Sequence, residues 1–506
     1  MFAGLCARGI GLAPRSAFAH TLRPGCFRTF HRSTINATSL LQKLSQHSAQ
    51  IYGTSARPPL QGLLKQFSPW SSKRHIALRA GRRRAFDPRF FSANAAQAQA
   101  PAAELPVLSP PPVAGWLIFS SLLVFAVIVV GGVTRLTESG LSITEWRPIA
   151  GMIPPLSEAQ WNEEFEKYKA TPEFKLLNHS FTVHDFKEIF YMEWGHRVLG
   201  RFIGIAFVVP LAYFAVRKRL TATLPKHLTG MAILIGLQGA LGWYMVKSGL
   251  EDSLMETPGA VPRVSQYRLA AHLGTAFVLY AGMLGTGLSA LYDWRYAKKG
   301  LWGGFKETGE QWKTVLQNPL IKRFARNSKA LTALVFITAL SGAFVAGLDA
   351  GLLYNEFPLM GGRLAPPSDE LFSRDYAKRP DGGDLWWRNI FENPTTVQFD
   401  HRCLAIATYI ATGLLYASTR NPALRAVLPP MTRRFAVASF AMANIQVLLG
   451  ISTLLYLVPV PLAAAHQAGS VMLLTTMVHL LVSLRRPGAA ARAWRQALQT
   501  AKTKAK

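Results

Sequence analysis

Eight apolar segments, each long enough to cross a bilayer as a helix, recur along this chain of 506 residues. Polar backbone groups find no water partners in lipid, so such segments are expected to be helical. Charged residues collect in the connections between them. The pattern therefore predicts an all-α membrane protein with eight transmembrane helices. The predicted spans are residues 113–133, 197–216, 228–247, 268–291, 329–348, 402–419, 435–457 and 462–484.

The amino-terminal stretch differs from the rest of the chain in charge. The formal net charge of +29 would suit a nucleic-acid-binding protein, but the excess is uneven, because residues 1–91 contain 15 Lys/Arg residues and one acid, Asp87. This stretch is rich in Arg, Ser and Ala and has no long apolar segment. Such a composition is typical of a mitochondrial presequence, with a disordered basic tail as the alternative. No nucleic-acid partner is expected, and membrane lipid is the expected neighbour of the apolar segments.

The connections between the apolar segments alternate in charge. Loops 134–194 and 349–400 are acidic, with ten acids against six bases and nine against five. The 293–328 loop and the tail 487–506 are basic and are expected in the matrix, which corresponds to the cytoplasmic side of the positive-inside rule. We therefore predict a multi-pass protein of the mitochondrial inner membrane. Both termini would lie in the matrix and the acidic loops in the intermembrane space.

The two halves of the chain repeat one pattern. Glu193-Trp194-Gly195-His196-Arg197 corresponds to Gln398-Phe399-Asp400-His401-Arg402, and a second histidine follows in each half, His272 and His466. An even number of helices per half keeps both halves in the same orientation, so they are predicted to be parallel repeats, each a four-helix bundle. The predicted domains are a presequence 1–91, a linker 92–112, an N-terminal bundle 113–292, a matrix loop 293–328, a C-terminal bundle 329–486 and a basic matrix tail 487–506.

Four histidines at the starts of membrane helices require an explanation, because polar side chains are costly inside a bilayer. A lone histidine there is more often a hydrogen-bonding interior residue. Matched pairs favour another interpretation, since two neutral imidazoles are standard axial ligands of haem iron. Zinc is disfavoured because no third or fourth ligand accompanies either pair at the usual spacing. The sequence thus predicts one haem between His196 and His272 and another between His401 and His466, both toward the intermembrane space.

One difference between the halves concerns the residue three positions before the first histidine. Glu193 precedes His196, whereas Gln398 precedes His401. A carboxylate beside a haem could relay protons or stabilise developing positive charge, so Glu193 is a candidate catalytic residue. The alternative is a helix-start carboxylate favoured by the macrodipole, and the two interpretations weigh about equally.

Three arginines are candidates for binding haem propionates through their guanidinium groups: Arg135, Arg197 and Arg402. Arginines at the membrane interface also anchor helices by snorkelling, which is the alternative. Gln238 and Gln446 are expected to make hydrogen bonds between helices.

Several motifs together resemble those of the haem A synthase family, in its mitochondrial branch. They are Gly-Gly-Val-Thr-Arg-Leu-Thr-Glu-Ser-Gly-Leu-Ser from Gly131, Glu-Trp-Gly-His-Arg from Glu193, Ala-Ala-His-Leu-Gly from Ala270, Gln-Phe-Asp-His-Arg from Gln398 and Ala-Ala-His-Gln from Ala464. The resemblance implies oxidation of the C8 methyl group of haem O to a formyl group, giving the haem A of cytochrome c oxidase. It also implies a resident haem b on the carboxy-terminal histidine pair, haem O as substrate on the amino-terminal pair, and Glu193 as the catalytic carboxyl.

The resemblance further implies a ferredoxin-type electron donor and haem O synthase as partners, and a homo-oligomer is compatible with the sequence. Many bacterial members have a cysteine pair in an outer loop, which this chain lacks. Two other functions fit a two-haem membrane protein: an electron carrier in which both haems are permanent, and a haem-transfer assembly factor. The difference between Glu193 and Gln398 favours the oxidoreductase, because a pure carrier has no need of unequal sites.

Overall fold

The computed structural model describes residues 104–147, 150–256, 261–307 and 309–504. The predicted presequence and most of the predicted linker lie outside these residues. In the described part, the chain is an all-α membrane protein with one short β-hairpin.

The α-helices of the described residues are, in chain order, α1 (Pro111–Leu136), α2 (Glu158–Lys169), α3 (Pro172–Leu176), α4 (Val183–Val216), α5 (Leu224–Lys247), α6 (Ser253–Glu256), α7 (Gln266–Lys299), α8 (Gln311–Gln317), α9 (Pro319–Gly347), α10 (Ser368–Leu371), α11 (Leu385–Glu392), α12 (Pro394–Ser418), α13 (Pro422–Val427), α14 (Pro430–Leu455), α15 (Val460–Ser483) and α16 (Ala489–Lys504). Short 3-10 helices cover Ala150–Met152, Ala350–Leu352 and Arg374–Tyr376.

The hairpin joins β1 (Leu301–Trp302) to β2 (Phe305–Lys306), with Trp302 opposite Phe305. Its two turn residues, Gly303 and Gly304, both have positive φ angles, of 59° and 92°. Tight two-residue hairpin turns require such angles, and glycine adopts them without steric cost.

Seven of the described helices are long and apolar enough to cross a membrane: α1, α4, α5, α7, α9, α14 and α15. They correspond to seven of the eight predicted spans. The eighth predicted span, 402–419, falls within α12, which has 25 residues but does not meet the same criterion. Its first turns contain Asp400, His401 and Arg402, which make it more polar than the others.

The helices extend beyond the apolar segments that predicted them. Helix α4 begins at Val183, where a capping box fixes its start: Thr182 Oγ1 accepts from the Asp185 amide, and the Asp185 carboxylate accepts from the Thr182 amide. The expectation that every histidine lies in the first turns of its helix is therefore wrong for His196, which is in the fourth turn of α4. It holds for His272, whose helix starts at Gln266.

The long helices pack in the same cyclic order in both halves. In the first half, α1 contacts α4 and α7, and α5 contacts these same two helices. In the second half, α9 contacts α12 and α15, and α14 contacts those two. The first histidine of each half lies on α4 or α12 and the second on α7 or α15, so each pair occupies diagonally opposite helices. Side chains at such positions can meet across the centre of the group.

The two halves pack against each other through α1, α7, α9 and α15. At this contact the Phe277 ring of α7 lies 6.1 Å from the Phe336 ring of α9, centre to centre, and the Tyr280 hydroxyl of α7 is hydrogen-bonded to Thr475 of α15. Polar contacts add to the apolar ones: Asp349, just after α9, forms ion pairs with Arg135 at 2.8 Å and with Arg263 at 3.1 Å. One carboxylate of the second half thus holds two guanidinium groups of the first.

Gln467 forms a further link between the halves, because its Nε2 donates to the Ile128 carbonyl at 3.1 Å. A Cβ at Gly132 would overlap the Gln467 side-chain oxygen, so this approach of α15 to α1 requires glycine there.

Replacing Asp349 by Asn tests the link between the halves. Asn keeps the size and tolerates the left-handed backbone of this position, where φ is 52°, but loses the charge that pairs with Arg135 and Arg263. The free energy of unfolding should fall by about 1 kcal/mol, a modest value because the Asp349 side chain is 40% exposed. Thermal unfolding in detergent measures it. The control is Asp381→Asn, at an exposed pair with Arg379; equal midpoints for the two variants would contradict the prediction.

Candidate functional site

The carboxy-terminal histidine pair has the separation that one metal atom requires. The ring centres of His401 and His466 lie 6.5 Å apart, and their planes are at 86°. Two collinear bonds of about 2.0–2.1 Å from a metal to imidazole nitrogens, with about 1.2 Å from each nitrogen to its ring centre, would place the centres about 6.4 Å apart. The geometry therefore fits a metal held between these two rings.

Hydrogen bonds at Nδ1 orient both rings of this pair. Ser341 Oγ lies 2.7 Å from Nδ1 of His401, and Gln446 Nε2 lies 3.1 Å from Nδ1 of His466. Gln446 Nε2 also donates to the His466 carbonyl at 2.9 Å. Ser341 donates its hydroxyl proton to the Thr338 carbonyl, so its oxygen accepts from Nδ1–H of His401 and leaves Nε2 of that ring for a metal. The amide nitrogen of Gln446 is a donor, so it holds the His466 ring in place without assigning Nε2 of that ring to a metal.

The amino-terminal pair is held by fewer hydrogen bonds. Gln238 Nε2 donates to the His272 carbonyl at 3.1 Å, as Gln446 does to His466. Both glutamines thus make the hydrogen bonds between helices that the sequence predicts. Nδ1 of His272, however, is buried without a hydrogen-bond partner among the described residues. The amino-terminal site is therefore less constrained than its counterpart.

Neither pair is joined by further protein ligands. The described residues contain no group of three or more His, Cys, Asp or Glu side chains that could hold a metal ion. Two imidazoles alone suit an iron whose other four ligands come from a porphyrin, which supports the haem interpretation over zinc for these residues.

Glu193 is buried and fully engaged in contacts. Its side chain is 3% exposed; Oε2 accepts from Ser142 Oγ at 2.7 Å and from the Ile143 amide at 2.9 Å, while Oε1 accepts from Nε and Nη2 of Arg197. It lies in the third turn of α4, far from the positive end of the helix. The macrodipole explanation of this carboxylate is therefore wrong, because the dipole acts within the first turn.

Glu193 and Arg197 together hold the segment after α1 on helix α4. Besides binding Glu193, Arg197 donates to the Ile143 carbonyl at 2.9 Å and to the Glu145 carbonyl at 3.1 Å. With the contacts of Glu193 to Ser142 and Ile143, this fixes residues 142–145 directly over the turn that contains His196. We refer to this arrangement as the outer-loop clamp.

The second half has an equivalent clamp with different chemistry. Gln398 Nε2 and Arg402 Nη2 both donate to the Tyr354 carbonyl, at 3.2 and 2.8 Å, and Arg402 Nη1 donates to the Leu359 carbonyl at 3.0 Å. In the first half, the side chain at this position must accept a hydrogen bond from the Ile143 amide, which a carboxylate can do. In the second half, it must donate a hydrogen bond to the Tyr354 carbonyl, which a side-chain amide can do. The difference between Glu193 and Gln398 thus has a structural cause.

The three candidate propionate ligands are not equivalent. Arg135 pairs with Asp349, and Arg402 binds two carbonyls, yet Nε of each is buried with no partner among the described residues. Nε, Nη1 and Nη2 of Arg197 are all engaged in the outer-loop clamp. Buried donors without partners are rare, so Arg135 and Arg402 are the arginines whose remaining N–H groups fit an anionic ligand.

Sequence reasoning missed a buried carboxyl, Glu173 in α3. It is 3% exposed and accepts a hydrogen bond from the Tyr168 hydroxyl at 3.1 Å, which in turn accepts from Asn178 Nδ2. Burial, with smaller contributions from Glu193 and Glu138, raises the pKa of Glu173 to about 8. Nothing in the sequence distinguishes it from the other acids of its loop, most of which are solvated.

Other histidines and the tryptophans of the second acidic loop have different surroundings. His179 and His184 are exposed. Trp386 and Trp387 are also exposed, on the short helix α11. His479 lies on α15, the same helix as His466, and its ring stacks on that of Phe435 with 4.5 Å between the ring centres.

The buried Glu173 predicts how stability depends on pH. Because the pKa of this carboxyl is higher in the folded protein than the ordinary value of 4.5, the folded state binds more protons than the unfolded state between pH 4.5 and about 8. Its contribution to the free energy of unfolding should therefore fall as the pH rises through this interval. Glu173→Gln should flatten that part of the pH profile of the unfolding midpoint, whereas Glu166→Gln, at an exposed site, should not. Parallel profiles for wild type and Glu173→Gln would contradict this.

Comparison with known proteins adds independent information. Residues 114–478 match the COX15-CtaA family model, described as cytochrome oxidase assembly protein. The chain is 48% identical over 379 residues to heme A synthase COX15 of Saccharomyces cerevisiae, covering 74% of this chain and 76% of that protein. It is 47% identical over 371 residues to heme A synthase COX15 of Homo sapiens, covering 73% and 82%. A heme A synthase-mitochondrial ferredoxin fusion protein of Schizosaccharomyces pombe is 49% identical over 369 residues, 73% of this chain and 59% of the fusion.

Proposed function

Because this chain belongs to the haem A synthase family of cytochrome oxidase assembly proteins, we propose that it oxidises the C8 methyl group of haem O to a formyl group. The product would be the haem A of cytochrome c oxidase. The observation at the site that supports this best is the pair of diagonal histidine sites, one constrained at both rings and one less constrained. An enzyme of this class needs one haem that stays and another that enters and leaves.

The proposed architecture is two parallel four-helix bundles with α12 as the eighth transmembrane helix. The same cyclic packing order of α1, α4, α5 and α7 and of α9, α12, α14 and α15 supports it. The charge of the loops supports both termini in the matrix and the histidines toward the intermembrane space of the mitochondrial inner membrane. The mitochondrial relatives favour this membrane.

In the proposed carboxy-terminal site, His401 and His466 hold a resident haem b, which would supply electron transfer when bound. Ser341 would hold His401 at Nδ1 and leave its Nε2 for the haem, and Gln446 would hold the His466 ring through its amide nitrogen. Arg402, through its unpartnered Nε, would bind a propionate on the same outer side.

In the proposed amino-terminal site, His196 and His272 receive haem O. The absence of an Nδ1 hydrogen bond at His272 suits a ligand that must be exchanged, because the ring can turn without breaking a hydrogen bond. Arg135 offers its Nε to a propionate. Arg197 acts indirectly, by holding Glu193 and residues 142–145.

Glu193 remains the candidate catalytic carboxyl, and its contacts define how it could act. Paired with Arg197, its carboxylate would lie three residues from His196 along the helix and stabilise positive charge that develops on the substrate. To accept a proton at Oε2, it would have to release Ser142 or Ile143. The charge-stabilising role requires no such movement and is the one we favour.

The electron donor is proposed to be a ferredoxin. The Schizosaccharomyces pombe relative joins a heme A synthase to a mitochondrial ferredoxin in one chain, which supports a direct functional link. Haem O synthase would be the supplier of substrate by family analogy. Association into a homo-oligomer stays a prediction.

Haem extraction tests the proposed reaction. Haem from the purified wild type should contain hydroxylated or formylated products by mass spectrometry. Glu193→Ala should lack them, because it removes the negative charge near the substrate. Gln398→Ala, at the equivalent clamp position of the other half, should retain them. Unmodified haem b alone in all three proteins would favour an electron carrier and reject the enzyme.

The resident site has a separate test. His401→Ala or His466→Ala should abolish the low-spin bis-histidine absorption spectrum of the resident haem, because its iron loses one axial ligand. His479→Ala is the matched control, since His479 lies on the same helix as His466 but stacks on Phe435. A wild-type spectrum in His466→Ala would show that the assignment is wrong.

A further inference from the structure

Each of the four histidines lies against a glycine on the long helix that precedes its own. In the first half, a Cβ built on Gly131 of α1 would lie 2.9 Å from Nε2 of His196. One built on Gly242 of α5 would lie 3.4 Å from Cε1 of His272. A separation under 3.0 Å cannot be accommodated without movement, whereas 3.4 Å is close to an ordinary van der Waals contact.

The second half repeats the arrangement. A Cβ on Gly342 of α9 would lie 3.4 Å from Cε1 of His401, and one on Gly450 of α14 would lie 2.8 Å from Cε1 of His466. The glycines stand on the first and third long helices of both halves. Each half therefore has one tight glycine position and one looser one, although the tight position serves the first histidine in one half and the second in the other.

These glycines differ from glycines that serve helix packing alone. The nearest atoms to each of the four hypothetical methyl groups all belong to an imidazole ring. By contrast, a methyl group on Gly287 would meet the Ala114 carbonyl oxygen and the side chains of Leu117 and Ile118. Gly115 and Gly239, on the same helices as Gly131 and Gly242, have nothing within 4 Å of such a group. Among the described glycines, close contact with an imidazole ring is thus specific to these four.

We propose that Gly131 and Gly450 are positioning residues that leave the space in which His196 and His466 take the orientation needed to ligate haem iron. This proposal rests on the proposed haem-binding role of the histidines. A methyl group at Gly450 would meet the ring edge, and since α14 and α15 are closely packed, the imidazole must turn. Turning changes the 6.5 Å relation of His466 to His401 and weakens the axial bond.

Gly450→Ala in the full-length protein is the principal test, read by electron paramagnetic resonance and the midpoint potential of the bound haem. We expect a shifted low-spin signal, partial conversion to high spin and a changed potential, with unchanged helicity. Gly413→Ala is the control, because its methyl group would make only an ordinary 3.5 Å contact with Phe440. A wild-type signal and potential in Gly450→Ala would overturn the proposal.

His466→Ala in the same series separates the two levels of the argument. Loss of the signal in His466→Ala with no change in Gly450→Ala would remove the positioning role and leave haem ligation intact. An unchanged signal in His466→Ala would instead reject haem ligation itself.

A second variant covers the case in which Gly450→Ala does not fold. Gly131→Ala should bind added ferric protohaem at its amino-terminal site several-fold more weakly than Gly115→Ala, as followed by titration of the Soret band. Both proteins would carry His401→Ala, so that the carboxy-terminal site does not contribute. Equal affinities would overturn the proposal.

Discussion

The spacing of two imidazole rings across a group of four helices is the constraint on which this structure depends. His401 and His466 come from diagonally opposite helices, yet their ring centres stand 6.5 Å apart, close to the distance that a shared metal atom imposes. Such spacing requires helices that approach closely, side chains that fix ring rotation and backbone that leaves room for the rings. Ser341 and Gln446 fix the rotation, and Gly342 and Gly450 leave the room. Polar atoms inside a membrane are costly, so a site of this kind implies a bound ligand that recovers that cost.

The two halves use one plan with unequal chemistry. At equivalent positions, Glu193 with Arg197 and Gln398 with Arg402 hold the outer loop of their half. The charge difference that first suggested an enzyme is thus explained equally well by the groups each loop presents. The unpartnered Nδ1 of His272 is the structural feature that supports the proposal of a substrate site in the amino-terminal half.

Apolar patterning predicted much of the fold, because lipid forces long apolar segments into helices. The repeat predicted that His401 and His466 lie together, as their ring separation of 6.5 Å shows. The pairing of His196 with His272 stays a prediction. Helix ends were predicted less well, since α4 continues into water where capping by Thr182, rather than apolarity, sets its start. The contacts of Glu193, the burial of Glu173 and the free Nε atoms of Arg135 and Arg402 depend on how distant loops fold back, and sequence spacing does not contain that information. Gly131 lies in one of the motifs of the sequence. Its contact with His196, 65 residues later, follows only from the fold.

X-ray absorption at the iron edge of the purified protein tests the central claim most directly. Two axial imidazoles predict six nitrogen ligands at the resident iron, four from the porphyrin and two from histidine. The outer-shell scattering should be that of imidazole. A sulfur ligand or a five-coordinate iron would contradict the account.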